Sequence, residues 1–162
     1  MTAIGVESGS PNTLKKVKKN LDLSKIAGAI KLLTKHGILV WNFFMIGFTG
    51  ETRREIQQTV DFAKKLKNQF VSFSVVIPFP GTELFETVKN RIDLDSYFSG
   101  WLSAGVPRIQ LSEATLEEIV AIKRKAIKEF YSPVRILRIA KTIRSIKELK
   151  FYWAKFKANV LR

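Results

Sequence analysis

The feature that most constrains this chain is a unit that occurs three times before residue 90: a short apolar run, a turn carrying Gly or Pro, then the opening of a helix. Residues 3–6 run into "ESGSPN", residues 38–46 into "GFTGET", and residues 71–77, "VSFSVVI", into "PFPGTELF". The segments between the runs are long enough to cross over, as parallel strands require. Strand, helix, strand, helix, strand, helix is an α/β pattern with a parallel sheet. The middle run is apolar nearly throughout, which suits a strand covered on both faces.

The helix signals are local. Pro11 suits a first helical position. Ser24 is the expected cap of the next helix, with Ile26, Ile30 and Leu33 on one face beside Ala29, and Gly37 ends it. The single His36 falls in the last turn, where a capping or exposed role fits better than catalysis. Thr52 with Glu55 makes a capping box, ahead of a buried face of Ile56, Val60, Ala63 and Leu66. Thr115 with Glu118 makes a second box. Leu116, Ile119, Val120, Ile127 and Phe130 then line a helix that Ser132-Pro133 breaks. Residues 91–112 read as irregular, packing across one end of the sheet.

Composition narrows the chemistry. With 162 residues, 46% of them hydrophobic, one domain with a core is sustainable. The absence of Cys excludes disulfides, zinc-thiolate sites and any iron–sulfur cluster ligated by this chain alone. The N-terminal "MTAIGVESGS" shows no signal-peptide pattern, and no stretch reaches the length of a membrane span. A cytoplasmic location is expected.

The formal charge is +14, and the tail, residues 134–162, carries nine basic residues against one acid, a net of +8. Ile136, Ile139, Ile143, Ile146, Leu149 and Trp153 fall on one stripe of a helix, with Arg138, Lys141, Arg144 and Lys147 off it. Three readings follow, in this order: the stripe docks on the protein's own body; it lies on an anionic membrane surface, making the protein peripheral to the membrane; or it binds nucleic acid, which no zinc finger or RNA-binding signature supports.

Ligands of parallel sheets sit beyond the C-terminal strand ends. Here those ends carry Glu7, Ser8 and Ser10; Gly47, Gly50 and Glu51; and Pro78, Pro80, Gly81 and Thr82. Each turn alone reads more simply as turn chemistry. Three along one edge point to a cofactor site, with glycine allowing close backbone approach and a carboxylate accepting from hydroxyl or ammonium groups.

The ordered set "IGVESGS", "HGILVWNFFMIGFTGET" and "FSVVIPFPGTEL" resembles the fourth, fifth and sixth strands of the radical S-adenosylmethionine domain. The tail, "EFYSPVRILRIAKTIRSIKELK", resembles the branch in which a cobalamin-binding domain precedes it. The resemblance implies a partial (β/α) barrel fragment of three parallel strand–helix units over 1–112, and a helical extension over 113–162. It implies a 4Fe-4S cluster and S-adenosylmethionine at the C-terminal strand ends, and a 5′-deoxyadenosyl radical that abstracts hydrogen from a substrate. It also implies cofactor-binding roles: Glu7 and Ser8 at the ribose and methionine part, Lys19 at the methionine carboxylate, Ile46 and Gly47 beside adenine, and Val76 and Ile77 flanking the ring. Glu51 is expected to be structural.

The sequence also departs from that family. It lacks the C-x-x-x-C-x-x-C motif, the first three strands and the Gly-Gly-Glu motif, and it has Thr49 where Pro is usual. Without thiolates the chain holds no cluster. It is therefore expected to be inactive alone, either a fragment of a radical enzyme or one piece of a split enzyme whose first half lies on a separate chain, with the first strand's free edge open to pairing. The rivals are a non-catalytic basic adaptor for membranes or nucleic acid, and a small complete α/β enzyme acting on a sugar phosphate or nucleotide.

Overall fold

A computed structural model of the chain describes residues 1–93, 109–141, 143 and 145–160. Three strands, β1 (Thr2–Glu7), β2 (Val40–Ile46) and β3 (Phe70–Val75), make a parallel sheet in the order β1-β2-β3. Helices α1 (Pro11–Lys16) and α2 (Leu23–Lys35) cross from β1 to β2, and α3 (Arg53–Lys65) crosses from β2 to β3. After β3 come α4 (Glu83–Val88) and a 3-10 turn at Lys89–Arg91, then α5 (Leu116–Phe130), α6 (Pro133–Ala140) and α7 (Ile146–Val160). The α/β partial-barrel fragment expected from the sequence is present. Most of the stretch expected to cross one end of the sheet, residues 94–108, lies outside the described residues.

Both capping boxes form, with Thr52 and Thr115 each exchanging hydrogen bonds with a Glu three residues on. Ile56, Val60 and Ala63 on α3 and Ile119, Ala126 and Phe130 on α5 pack against Val6, Val40, Phe44, Ile46, Val71, Phe73 and Val75 of the sheet. Gly37 has φ +73 just past the end of α2, the left-handed conformation that a glycine terminator supplies.

Four local expectations need correction. The cap of α2 is Asp22, not Ser24: its Oδ1 accepts from the Ser24 and Lys25 N–H groups at 2.8 and 3.3 Å. A carboxylate one position before the helix outcompetes a hydroxyl already inside it. On that helix Ala27, not Ala29, packs against the core. Two strands also depart from the apolar runs: β2 begins at Val40, leaving Ile38 exposed, and β3 begins at Phe70 and ends at Val75. Finally, β2 alternates. Val40, Asn42, Phe44 and Ile46 are buried, whereas Trp41, Phe43 and Met45 are half-buried. Helices pack one face of the strand, and on the other face Trp41 stacks on Phe43 with ring centroids 5.2 Å apart.

The tail is two helices rather than one continuous stripe. It docks through Tyr152, 5.2 Å from Phe70, and Phe156, 5.6 Å from Tyr131, measured between ring centroids. Of the predicted stripe, Ile139 packs on the core, while Ile136, Ile146, Leu149 and Trp153 stay exposed. The root of the tail is Arg135. Its buried guanidinium lies 3.8 Å from the Phe130 ring centroid and donates to the carbonyls of Lys64 at 2.6 Å, Leu66 at 3.0 Å and Asn68 at 3.3 Å. Burial, with Arg138 nearby, lowers it to about 10, so it remains cationic at neutral pH.

Gly9 lets the turn after β1 lie directly on α3. A Cβ there would stand 2.6 Å from the Phe62 Cβ and 2.8 Å from both the Gln58 carbonyl oxygen and the Thr59 Cα. Two of these are helix backbone and cannot give way. Gly9→Ala is expected to destabilise the chain by about 1–3 kcal/mol in urea unfolding. Gly28→Ala on α2, where a Cβ meets nothing within 4 Å, is expected to stabilise it by up to about 1 kcal/mol.

Candidate functional site at the C-terminal strand ends

The first strand ends irregularly. Its register with β2 shifts between Gly5 and Glu7, and Glu7 takes φ +67. Lys18 also has a positive φ, +58, which closes α1 and returns the Lys19 N–H to the Leu14 carbonyl at 2.9 Å. Together these turns bring Lys19 Nζ to 2.7 Å from Glu7 Oε1, and to 3.1 Å from the Gly5 carbonyl oxygen. Gly5 makes room for the pair, because a Cβ there would lie 2.6 Å from Glu7 Oε1.

Magnitudes indicate what this pair is for. The left-handed backbone costs about 1–2 kcal/mol at a non-glycine residue. A partly exposed ion pair returns about 0–1 kcal/mol, and both side chains here are a quarter to a third exposed. Stability alone does not explain the arrangement, and strain of this kind collects at functional sites. Glu7 Oε2 has no hydrogen bond among the described residues.

Ser8 sits differently. It is fully buried; its Oγ lies 2.9 Å from Thr59 Oγ1 and accepts from the Ser10 N–H at 3.0 Å. The Gly9 N–H donates to the same Thr59 hydroxyl at 3.0 Å. Ser8 therefore fastens the turn to α3, and Thr59 is its partner. Sequence reading did not single out Thr59, although a threonine beside Val60 on an otherwise apolar helix face was a signal.

The second turn is organised by Glu51. Its carboxylate is fully buried and its Oε2 accepts from the Gly47 N–H at 2.7 Å and the Phe48 N–H at 3.1 Å. Oε1 accepts from Thr13 Oγ1 at 3.5 Å, joining this turn to α1. Burial pushes Glu51 up to about 7, opposed by the two amide donors. Glu55 beside it is held below the usual carboxylate range, first by the Thr52 N–H, then by Asn12 and Lys16. The structural role expected of Glu51 fits this geometry. Gly47 has φ +87, and a Cβ would come within 3.0 Å of Ile119 Cδ1. Its N–H and that of Phe48 both serve Glu51, so neither is left to donate to a ligand.

At the third end the Val76 N–H donates to the Ile46 carbonyl at 3.0 Å, extending the ladder one residue past β3. Ile46 faces the core, Val76 is buried, and Ile77 packs with Val88 and Ile109. The predicted residues thus form two groups. Glu7 and Lys19 make a charged pair beyond β1; Ile46, Gly47 and Val76 adjoin at the ends of β2 and β3, with Ile77 next in the chain. Ser8 points inward.

Comparison with known proteins places the chain in a family. The sequence profile of the Radical SAM superfamily matches residues 2–63. An uncharacterized methyltransferase of Pyrococcus horikoshii is 34% identical over 134 residues, covering 82% of this chain and 29% of that protein. Bacteriochlorophyllide d C-12(1)-methyltransferase of Chlorobaculum tepidum is 31% identical over 132 residues, covering 79% and 29% respectively. The anaerobic magnesium-protoporphyrin IX monomethyl ester cyclase of Rubrivivax gelatinosus is 23% identical over 92 residues, covering 57% and 17%. The chain spans less than a third of the length of each of these relatives.

A carboxyl whose folded value lies above its unfolded one binds more protons when folded, so stability falls as pH rises through that interval. For Glu51 the interval runs from 4.5 to about 7. Its contribution is fully present below the unfolded value and lost above the folded one. Glu51→Gln is expected to flatten the pH dependence of the urea midpoint between those limits. An unchanged slope would show that another group titrates there.

Proposed function

Because the chain belongs to the radical SAM superfamily, we propose that it supplies the later strand ends of a radical S-adenosylmethionine enzyme and part of that cofactor's site. The observation that carries this reading is the Glu7–Lys19 pair, held by left-handed residues at the end of β1 and just past α1. The methionine part of the cofactor carries an ammonium and a carboxylate. Lys19 suits the carboxylate, and the unused oxygen of Glu7 suits the ammonium or a ribose hydroxyl. The apolar ends of β2 and β3 suit the adenine ring, with Val76 and Ile77 beside it. Ser8 and Glu51 hold the turns in place behind the contact surface.

S-adenosylmethionine, when bound and reductively cleaved, supplies a 5′-deoxyadenosyl group for hydrogen abstraction. The 4Fe-4S cluster that delivers the electron does not fit this chain's residues. There is no Cys in the sequence, and the described residues contain no group of three or more His, Cys, Asp or Glu able to hold a metal. The cluster cysteines are assigned to polypeptide outside these 162 residues, on a separate chain or an earlier segment. The free edge of β1, where Ala3 and Gly5 are exposed, is a place for that half of the barrel to pair. Cobalamin use by the whole enzyme is proposed on the likeness of the tail.

The test combines this chain with a polypeptide carrying the cluster half, reductant and S-adenosylmethionine, and measures 5′-deoxyadenosine. Product is expected from the combination and not from either part alone. Glu7→Gln and Lys19→Met are each expected to weaken cofactor binding about tenfold or more, as loss of a charge-assisted hydrogen bond does. Cleavage by this chain alone, or undiminished binding in both variants, would overturn the reading.

A further inference from the structure

At the other end of the strands, away from the candidate site, two surface features meet at one residue. The first is a cleft of about 340 Å³ between the C-terminal turn of α2, the segment leading into β3, and α6. Lys31, Lys35, Lys67 and Arg138 line it, all four exposed and none in an ion pair among the described residues. The second is an apolar groove of about 200 Å³ between α6 and α7, whose lining includes Ile136, Leu149 and Trp153. Ile139 lines both.

The two features differ in chemistry but share an edge. Trp153 is 60% exposed, Leu149 53% and Ile136 42%. Ile146, beside them in sequence, is 74% exposed. Large apolar side chains this open, set among unpaired cations, are the pattern of a surface that meets a lipid interface: apolar groups enter the acyl boundary while basic groups meet the headgroups. Lys147, Lys150 and Lys157 add exposed positive charge along α7. Lys31, Lys35 and Lys67 come from elements far from the tail in sequence, so the fold enlarges the basic surface beyond what the tail alone provides.

We propose that this end of the molecule is a docking face for an anionic phospholipid bilayer. The basic cleft takes headgroup phosphates, and the groove with Trp153 takes the adjoining acyl region. Charge complementarity selects this occupant: a second copy of the chain would bring the same unpaired cations against each other. No helix among the described residues is long and apolar enough to cross a membrane, so the contact is peripheral. The six-residue strand β3 spans about 20 Å, so docking at this end leaves the C-terminal strand ends facing away from the bilayer.

Flotation of the full chain with phosphatidylcholine vesicles, with and without phosphatidylglycerol, tests the proposal. Binding is expected only with the anionic lipid and is expected to fall as salt rises. Lys35→Gln with Arg138→Gln is expected to reduce the partition coefficient about fivefold per charge removed. Trp153→Ser is expected to lower it further, and brominated lipid is expected to quench wild-type fluorescence more than that of Trp153→Phe. All three substitution sites are exposed, and circular dichroism of each variant checks that the fold is kept. Equal binding to neutral vesicles, salt-sensitive binding indifferent to Trp153, retention by a DNA duplex in place of vesicles, or concentration-dependent dimerisation that buries Trp153 would each overturn it.

Discussion

The buried carboxylate of Glu51 is the joint on which the C-terminal edge of the sheet depends. One side chain reaches the turn after β2 through two backbone N–H groups and reaches α1 through Thr13. The backbone of the same residue accepts from the Glu113 N–H at 3.0 Å, bringing the segment before α5 to the same place. Placing a carboxylate there is costly, and its raised proton affinity is the sign of that cost. In exchange, the turn is fixed without any group that points outward. The neighbouring turn uses a different solution: Ser8, Ser10 and Thr59 hold it by neutral hydroxyls.

This division separates scaffold from contact surface. Polar residues at the strand ends look alike in a sequence, since Glu7, Ser8 and Glu51 all lie within two residues of a glycine. In the fold Ser8 and Glu51 are fully buried and internally bonded, whereas Glu7 remains accessible next to Lys19. The local cause is backbone conformation. Glu7 takes a left-handed φ of +67 there and pairs with Lys19, while Ser8 bonds to Thr59.

Strand–helix alternation was legible because it rests on local signals. The capping boxes at Thr52 and Thr115 and the terminator at Gly37 act within four residues, and each formed where sequence pattern placed it. The buried face of α3 was equally clear from its spacing. Features that depend on distant partners were not. Nothing near Trp41, Phe43 and Met45 says that, among the described residues, α3 and α5 pack against the opposite face. The tail's stripe predicted one continuous helix, but Tyr152 and Phe156, both outside the stripe, make the contacts that seat it. Asp22 and Ser24 compete for one capping position, and composition does not rank them. The pairing of Glu7 with Lys19 joins two residues read separately, and its enabling residue, Gly5, carries no side chain to announce it.

Arg135 has a consequence for how the molecule comes apart. Its guanidinium closes off the last carbonyls of α3 and the approach to β3 while standing on an aromatic ring of α5. The tail is therefore not an appendage beyond a finished sheet. If its root is released, three backbone acceptors that no other described group satisfies are left inside the protein. The first turn of the tail and the last crossover of the sheet are thus tied through one side chain, so that opening either one is expected to disturb the other.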